Sequence, residues 1–166
     1  MNKKLLTLLI IFIAAISIAS VCAVDLTKEN DFDGKFKMNV PLGKHYTDCA
    51  WCGGNGALGS ICEYCSDDME YPMGEDDIII YYYNNSQLSD GESNAWQHSL
   101  DVLTTSYLYD IYSDDGNLII LTNEVTMNKM PPILVGKTDD DGSNVVFVGG
   151  FHLDELKKYA DSIQFN

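Results

Sequence analysis

The chain has 166 residues, 46 % of them hydrophobic, and a formal net charge of −15 without a single arginine. Setting aside Lys3 and Lys4 from its ten lysines leaves eight against 25 acidic residues, a net charge of −17 for the rest. That balance argues against nucleic acid and anionic lipid surfaces as partners, because both need a basic face.

In chain order, Met1-Asn2-Lys3-Lys4 is a basic start, and Leu5 to Ser20 is apolar apart from Thr7, Ser17 and Ser20. Small residues at Val21-Cys22-Ala23 complete the pattern of a secretory signal peptide over residues 1–23. Left uncut, Leu5 to Val24 is long enough to anchor the chain in a bilayer. The expected location is therefore outside the cell or on the outer face of its membrane, with membrane contact only through this segment. Residues 24–166 are enough for one domain.

Asp25 to Gly34 is polar and reads as a loose leader. Phe36, Met38 and Val40 alternate as a half-buried strand ended by Pro41 and Gly43. A cysteine-bearing excursion follows over about 44–74. Ile78 to Tyr83 is apolar or aromatic at every position, which places it centrally in a sheet. Ser89-Asp90-Gly91-Glu92 opens a helix whose buried stripe is Trp96, Leu100 and Leu103 with Val102 beside it, leaving His98 on the surface. Tyr107 to Tyr112 and Leu118 to Leu121 form a hairpin across Asp114 to Asn117. Ile133 to Lys137 and Val145 to Val148 form a second across Asp139 to Asn144, where the calcium-loop pattern of an EF-hand does not fit. Gly149 and Gly150 release the chain into a closing helix, Leu153 to Ile163, with Leu153, Leu156, Ala160 and Ile163 on one face. The expected fold is α+β, a mostly antiparallel sheet with two helices packed on it.

The most specific chemistry lies in the excursion. Cys49-Ala50-Trp51-Cys52 and Cys62-Glu63-Tyr64-Cys65 are two Cys-x-x-Cys pairs with nine residues between them. Two such pairs can complete a tetrahedron of thiolates around Zn²⁺. Gly53, Gly54 and Gly56 supply the backbone freedom that a knuckle needs after its second cysteine. Two disulfides are the alternative, favoured by an oxidising compartment, and sequence leaves their connectivity open. A redox dithiol is the third, opposed by the acidic neighbours Asp48, Glu63, Asp67 and Asp68, which raise a thiol's pKa. His45 is a substitute ligand at most.

Cys49 to Gly56 resembles one Cys-x-x-Cys-x-Gly-x-Gly repeat of the zinc-binding region of DnaJ-type chaperones. That resemblance covers eight residues, implies knuckle geometry only, and ends at Cys65, where Ser66-Asp67-Asp68 follow instead of glycine. On a wider scale, Phe36 to Pro41, the Tyr/Ile-rich strand, the helix, the two hairpins and the terminal Leu153 to Phe165 are similar to small secreted archaeal domains of unknown function. Their topology looks like the PsbP-type α/β/α sandwich, and they bring no catalytic residues to carry over.

The expected function is thus non-enzymatic. It is an exported or cell-surface domain with a structural zinc knuckle of Cys49, Cys52, Cys62 and Cys65, offering a surface to an unknown protein. A disulfide-stapled binding domain is the alternative, with Tyr81 to Tyr83, Tyr107, Tyr109 and Tyr112 as a possible platform for a surface glycan. A thiol-disulfide oxidoreductase comes third. Asn84-Asn85-Ser86 is a lone N-glycosylation sequon.

Overall fold

A computed structural model describes residues 27–48, 57–62, 76–88, 91, 93–123 and 130–166. The signal-peptide reading, three of the four excursion cysteines and their glycines lie outside these residues.

The elements run β1 (Thr27–Phe32), β2 (Phe36–Pro41), β3 (His45–Asp48), β4 (Ala57–Cys62), β5 (Ile78–Asn84) and α1 (Ala95–Asp101). They continue with β6 (Asp110–Asp114), β7 (Ile119–Thr122), β8 (Ile133–Thr138), β9 (Asn144–Gly150), α2 (Leu153–Asp161) and β10 (Gln164–Phe165). The fold is α+β. One sheet has seven strands in the order β3-β4-β5-β9-β8-β7-β6, and a second has three in the order β1-β2-β10. Every pairing is antiparallel.

Alternation along β5 explains the layering. Ile78, Ile80 and Tyr82 point into a core shared with Phe36, Met38 and Val40 of β2 and with Leu156, Tyr159 and Ala160 of α2. Ile79, Tyr81 and Tyr83 point into a second core with Ala95 and Leu103 on the α1 side and with Phe147 of β9. A strand buried on both faces needs apolar residues at every position, as the sequence of β5 has. The seven-stranded sheet is therefore sandwiched, with α1 on one side and α2 plus the small sheet on the other.

Four expectations are corrected. The polar leader is β1, whose register runs from Thr27↔Pro41 to Phe32↔Phe36. Asp33 (φ 55) and Gly34 (φ 71) turn the chain between the strands, the two positive φ values of a type I′ hairpin. Phe32 and Phe36 stack behind that turn, ring centres 4.6 Å apart.

The excursion is not all loop. β3 and β4 pair with each other, and β4 pairs with β5, so they extend the large sheet.

The first helix starts late. Asn94 caps it, its side chain accepting from the Gln97 amide at 3.0 Å. Its fully buried line is Ala95, Ser99 and Leu103, with Trp96 and Leu100 packed alongside. Beyond Asp101 it widens into a π-helical turn, Val102–Ser106.

Gly149 lies inside β9 and only Gly150, its last residue, stands where the strand ends. A Cβ on Gly149 would stand 2.6 Å from Leu134 and Pro131 side-chain atoms, so close packing demands glycine there.

Both expected hairpins form. In the β8–β9 turn, Asp139 accepts from the Asn144 amide at 3.0 Å and its side-chain NH₂ at 2.7 Å, and Asp141 accepts from the Ser143 amide at 3.0 Å. These carboxylates serve their own turn. Hydrogen bonds from Ser143 hold the Asp141 carboxyl below its ordinary range. In the β6–β7 turn, amide donors from Leu118 and Asn117 do the same for Asp115.

Candidate functional site

The cysteine excursion has a defined base. β2 ends at Pro41, and the chain reverses through Leu42 and Gly43, the latter at φ +97, where glycine carries no steric penalty. The Lys44 amide closes that turn on the Pro41 carbonyl at 3.2 Å. The Lys44 side chain then crosses the gap to the far end of the excursion. Its ammonium donates to the Asp76 carbonyl at 2.6 Å and lies 3.6 Å from Glu155 Oε1 of α2. The Tyr159 hydroxyl donates to the same Glu155 oxygen at 3.0 Å. Residues 32 apart in sequence are so joined through one charged group, with the Lys44 side chain only 17 % exposed. A second tie is aromatic: Tyr46 of β3 meets Phe32 edge-on at 4.9 Å.

Two clefts flank this clamp and share Pro41 and Lys44 in their walls. One, of about 460 Å³, lies between the β1–β2 hairpin and Tyr46. The other, of about 510 Å³, lies between Thr27, Asn39 and the Glu155, Lys158 and Tyr159 face of α2. Among the described residues, lysine is concentrated in the layer of the small sheet and α2. Lys28, Lys35, Lys37 and Lys44 belong to the first hairpin and its exit, and Lys157 and Lys158 to α2. Lys137 reaches the Asp161 and Ile163 carbonyls at the end of α2. Within the clamp Lys44, Glu155 and Tyr159 satisfy one another, an arrangement that fixes chain segments together.

Of the predicted ligands, Cys62 is the last residue of β4, and Cys49, Cys52 and Cys65 lie outside the described residues. The β3–β4 register sets Cys62 opposite His45 and Gly59 opposite Asp48. Among the described residues no three His, Cys, Asp or Glu side chains gather as a metal site, and no helix is long and apolar enough to cross a membrane.

The tyrosine platform does not form. Tyr81, Tyr82, Tyr83 and Tyr109 are buried, and the Tyr109 hydroxyl donates to the Pro131 carbonyl inside the protein. Burial, with the neighbouring Tyr107, pushes the Tyr83 hydroxyl far above its ordinary pKa, so it stays protonated. His98 is only half-buried, with its ring edge-on to Tyr83 at 6.1 Å. At the sequon, Asn84 Oδ1 accepts from the Ser86 amide at 2.9 Å and from the Ser86 hydroxyl.

The sequence missed the Lys44 clamp, since no local pattern announces a lysine that bonds a carbonyl 32 residues on. The nearest signal was the boundary itself, as the excursion was read to start at 44. Compared with known proteins, the chain matches no family model, no curated protein and no solved structure.

Proposed function

We propose that the chain is an exported or cell-surface, non-enzymatic domain whose sandwiched body carries a cysteine-organised hairpin as a protein-binding tip. One observation carries this reading. The β3–β4 hairpin extends the large sheet at its end and is held at its base by Lys44 and Tyr46. A rigid body with one braced outgrowth suits presentation of a surface better than turnover. The sandwich of an antiparallel sheet between helices also supports kinship with the secreted PsbP-like domains. The compartment rests on the pattern of residues 1–23, whether cleaved or kept as an anchor.

Zn²⁺ held by Cys49, Cys52, Cys62 and Cys65 is the organising element in this reading. The register places a condition on it. Three rungs of ladder, roughly 10 Å, separate the Asp48–Gly59 pair from the His45–Cys62 pair. A single four-sulfur centre therefore requires the Cys49–Cys52 turn to fold back along the hairpin. Two disulfides are the competing arrangement.

Native mass spectrometry of the exported chain, purified without reductant or chelator, tests this. The expected mass is raised by one zinc less the displaced protons, and Cys49→Ser with Cys52→Ser removes that increment. A metal-free mass lowered by two disulfides would replace the zinc with an extracellular staple. Catalytic turnover of a model disulfide would overturn the non-enzymatic reading itself.

A further inference from the structure

The seven-stranded sheet ends at β6, and among the described residues no strand lies outside it. All five residues of β6 are exposed. Of the five large apolar side chains that stand exposed among the described residues, three lie on this strand and its approach: Leu108 at 55 %, Ile111 at 55 % and Tyr112 at 70 %. The backbone is shaped to hold them there. Leu108 adopts φ 58, a left-handed conformation that a leucine rarely takes. It follows a half-buried Tyr107 and precedes Tyr109, which is anchored to Pro131. Ile111 pairs with Leu121 and Ser113 with Ile120, so Tyr112 is the extra residue of a β-bulge. That extra residue breaks the strict alternation and leaves two successive apolar side chains outside.

The charges around them select an occupant. Asp110 and Asp114 bracket Ile111 and Tyr112, and Asp115 follows. A second copy of β6 laid antiparallel about Tyr112 would set Asp110 opposite Asp114 twice, and facing like charges oppose such pairing. At the turn end of the strand the Lys157 charge of α2 already acts on Asp115, so Asp110 and Asp114 are the carboxylates offered to a partner. Open ladder groups, exposed apolar side chains and flanking carboxylates together fit strand addition by a complementary chain.

We propose that β6 is a docking edge for an extended segment of a partner protein that carries apolar residues flanked by lysine or arginine. The segment would add an eighth strand, with its cations beside Asp110 and Asp114 and its apolar side chains on Ile111 and Tyr112. This surface stands apart from the cysteine excursion, so it survives or fails independently of the zinc reading.

The test titrates the purified chain with a fluorescein-labelled peptide, Lys-Thr-Val-Val-Thr-Lys, and with the same peptide bearing Glu for Lys. The lysine peptide is expected to bind at least about tenfold more tightly, and to slow amide exchange in Asp110–Asp114. Asp110→Lys with Asp114→Lys should reverse the preference between the peptides. Tyr112→Thr, a surface change that leaves both cores intact, should weaken both by about tenfold. Equal binding of the two peptides, an unreversed preference, protection confined to other strands, or dimerisation of the chain through β6 would each overturn the proposal.

Discussion

Phe147→Ala is expected to lower the stability of the domain by about 3–5 kcal/mol, the range for removing a fully buried aromatic ring. The Phe147 ring is the hinge of the α1-side core. It is fully buried, it stacks parallel to Trp96 at 6.2 Å, and it meets Tyr83 edge-on at 6.3 Å. Its place is kept by the missing side chain of Gly136 on the adjacent strand. A Cβ there would lie 2.3 Å from Phe147 Cε1 and 2.8 Å from Ile119 Cγ2. Gly136→Ala should therefore destabilise by the opposite route, forcing the ring off its rotamer at about 1–3 kcal/mol. Urea unfolding followed by tryptophan fluorescence measures both, since Trp96 reports on the stacked ring. A loss below about 1 kcal/mol for Phe147→Ala would mean that α1 does not pack on the sheet as described.

The same glycine shows what a sequence does and does not disclose. Gly136 sits within Ile133-Leu134-Val135-Gly136-Lys137, and the apolar run alone identifies a strand. That the glycine makes room for a ring on β9 is a fact of register, Gly136↔Phe147, which no local pattern contains. β5, β8, β9 and α2 were legible because burial on one or both faces writes a period into the chain. β1 was legible in principle: Asp33-Gly34 between Phe32 and Phe36 is a strong hairpin signal, masked by the polar residues of an exposed strand. β3 and β4 were not legible. β3 has only four residues, β4 contains a glycine, and β4 is a strand because β5 offers it an edge. The start of α1 was misplaced because Ser89 and Asp90 are as good caps by type as Asn94. The difference is made at a distance, where the Asn85 side chain accepts from the Ala95 amide at 2.9 Å. As for the candidate site, the sequence discloses the spacing of its cysteines, three of which lie outside the described residues. It does not disclose the mechanical base, because a clamp made by one lysine is a property of the folded chain alone.

Lys44→Met is expected to loosen the excursion while leaving the sandwich folded. Methionine keeps most of the apolar stem of lysine but removes the ammonium that joins the two ends of the excursion. A hydrogen bond from a charged donor contributes about 1.5–3 kcal/mol, and this one is made by a side chain that is mostly withdrawn from solvent. The Glu155 contact contributes less, since that carboxylate is one-third exposed and partly screened. The loss falls on the segment between Lys44 and Asp76, whose local opening is distinct from global unfolding. Hydrogen exchange of the β3 and β4 amides should accelerate by roughly tenfold or more, while β8 and β9 keep their protection. Lys44→Arg restores a donor of the same charge and should recover part of the effect, which a purely steric explanation would not give. Uniform acceleration across both sheets would show that Lys44 supports the whole domain. Unchanged exchange in β3 and β4 would show that Tyr46 and the β4–β5 ladder hold the excursion without the clamp.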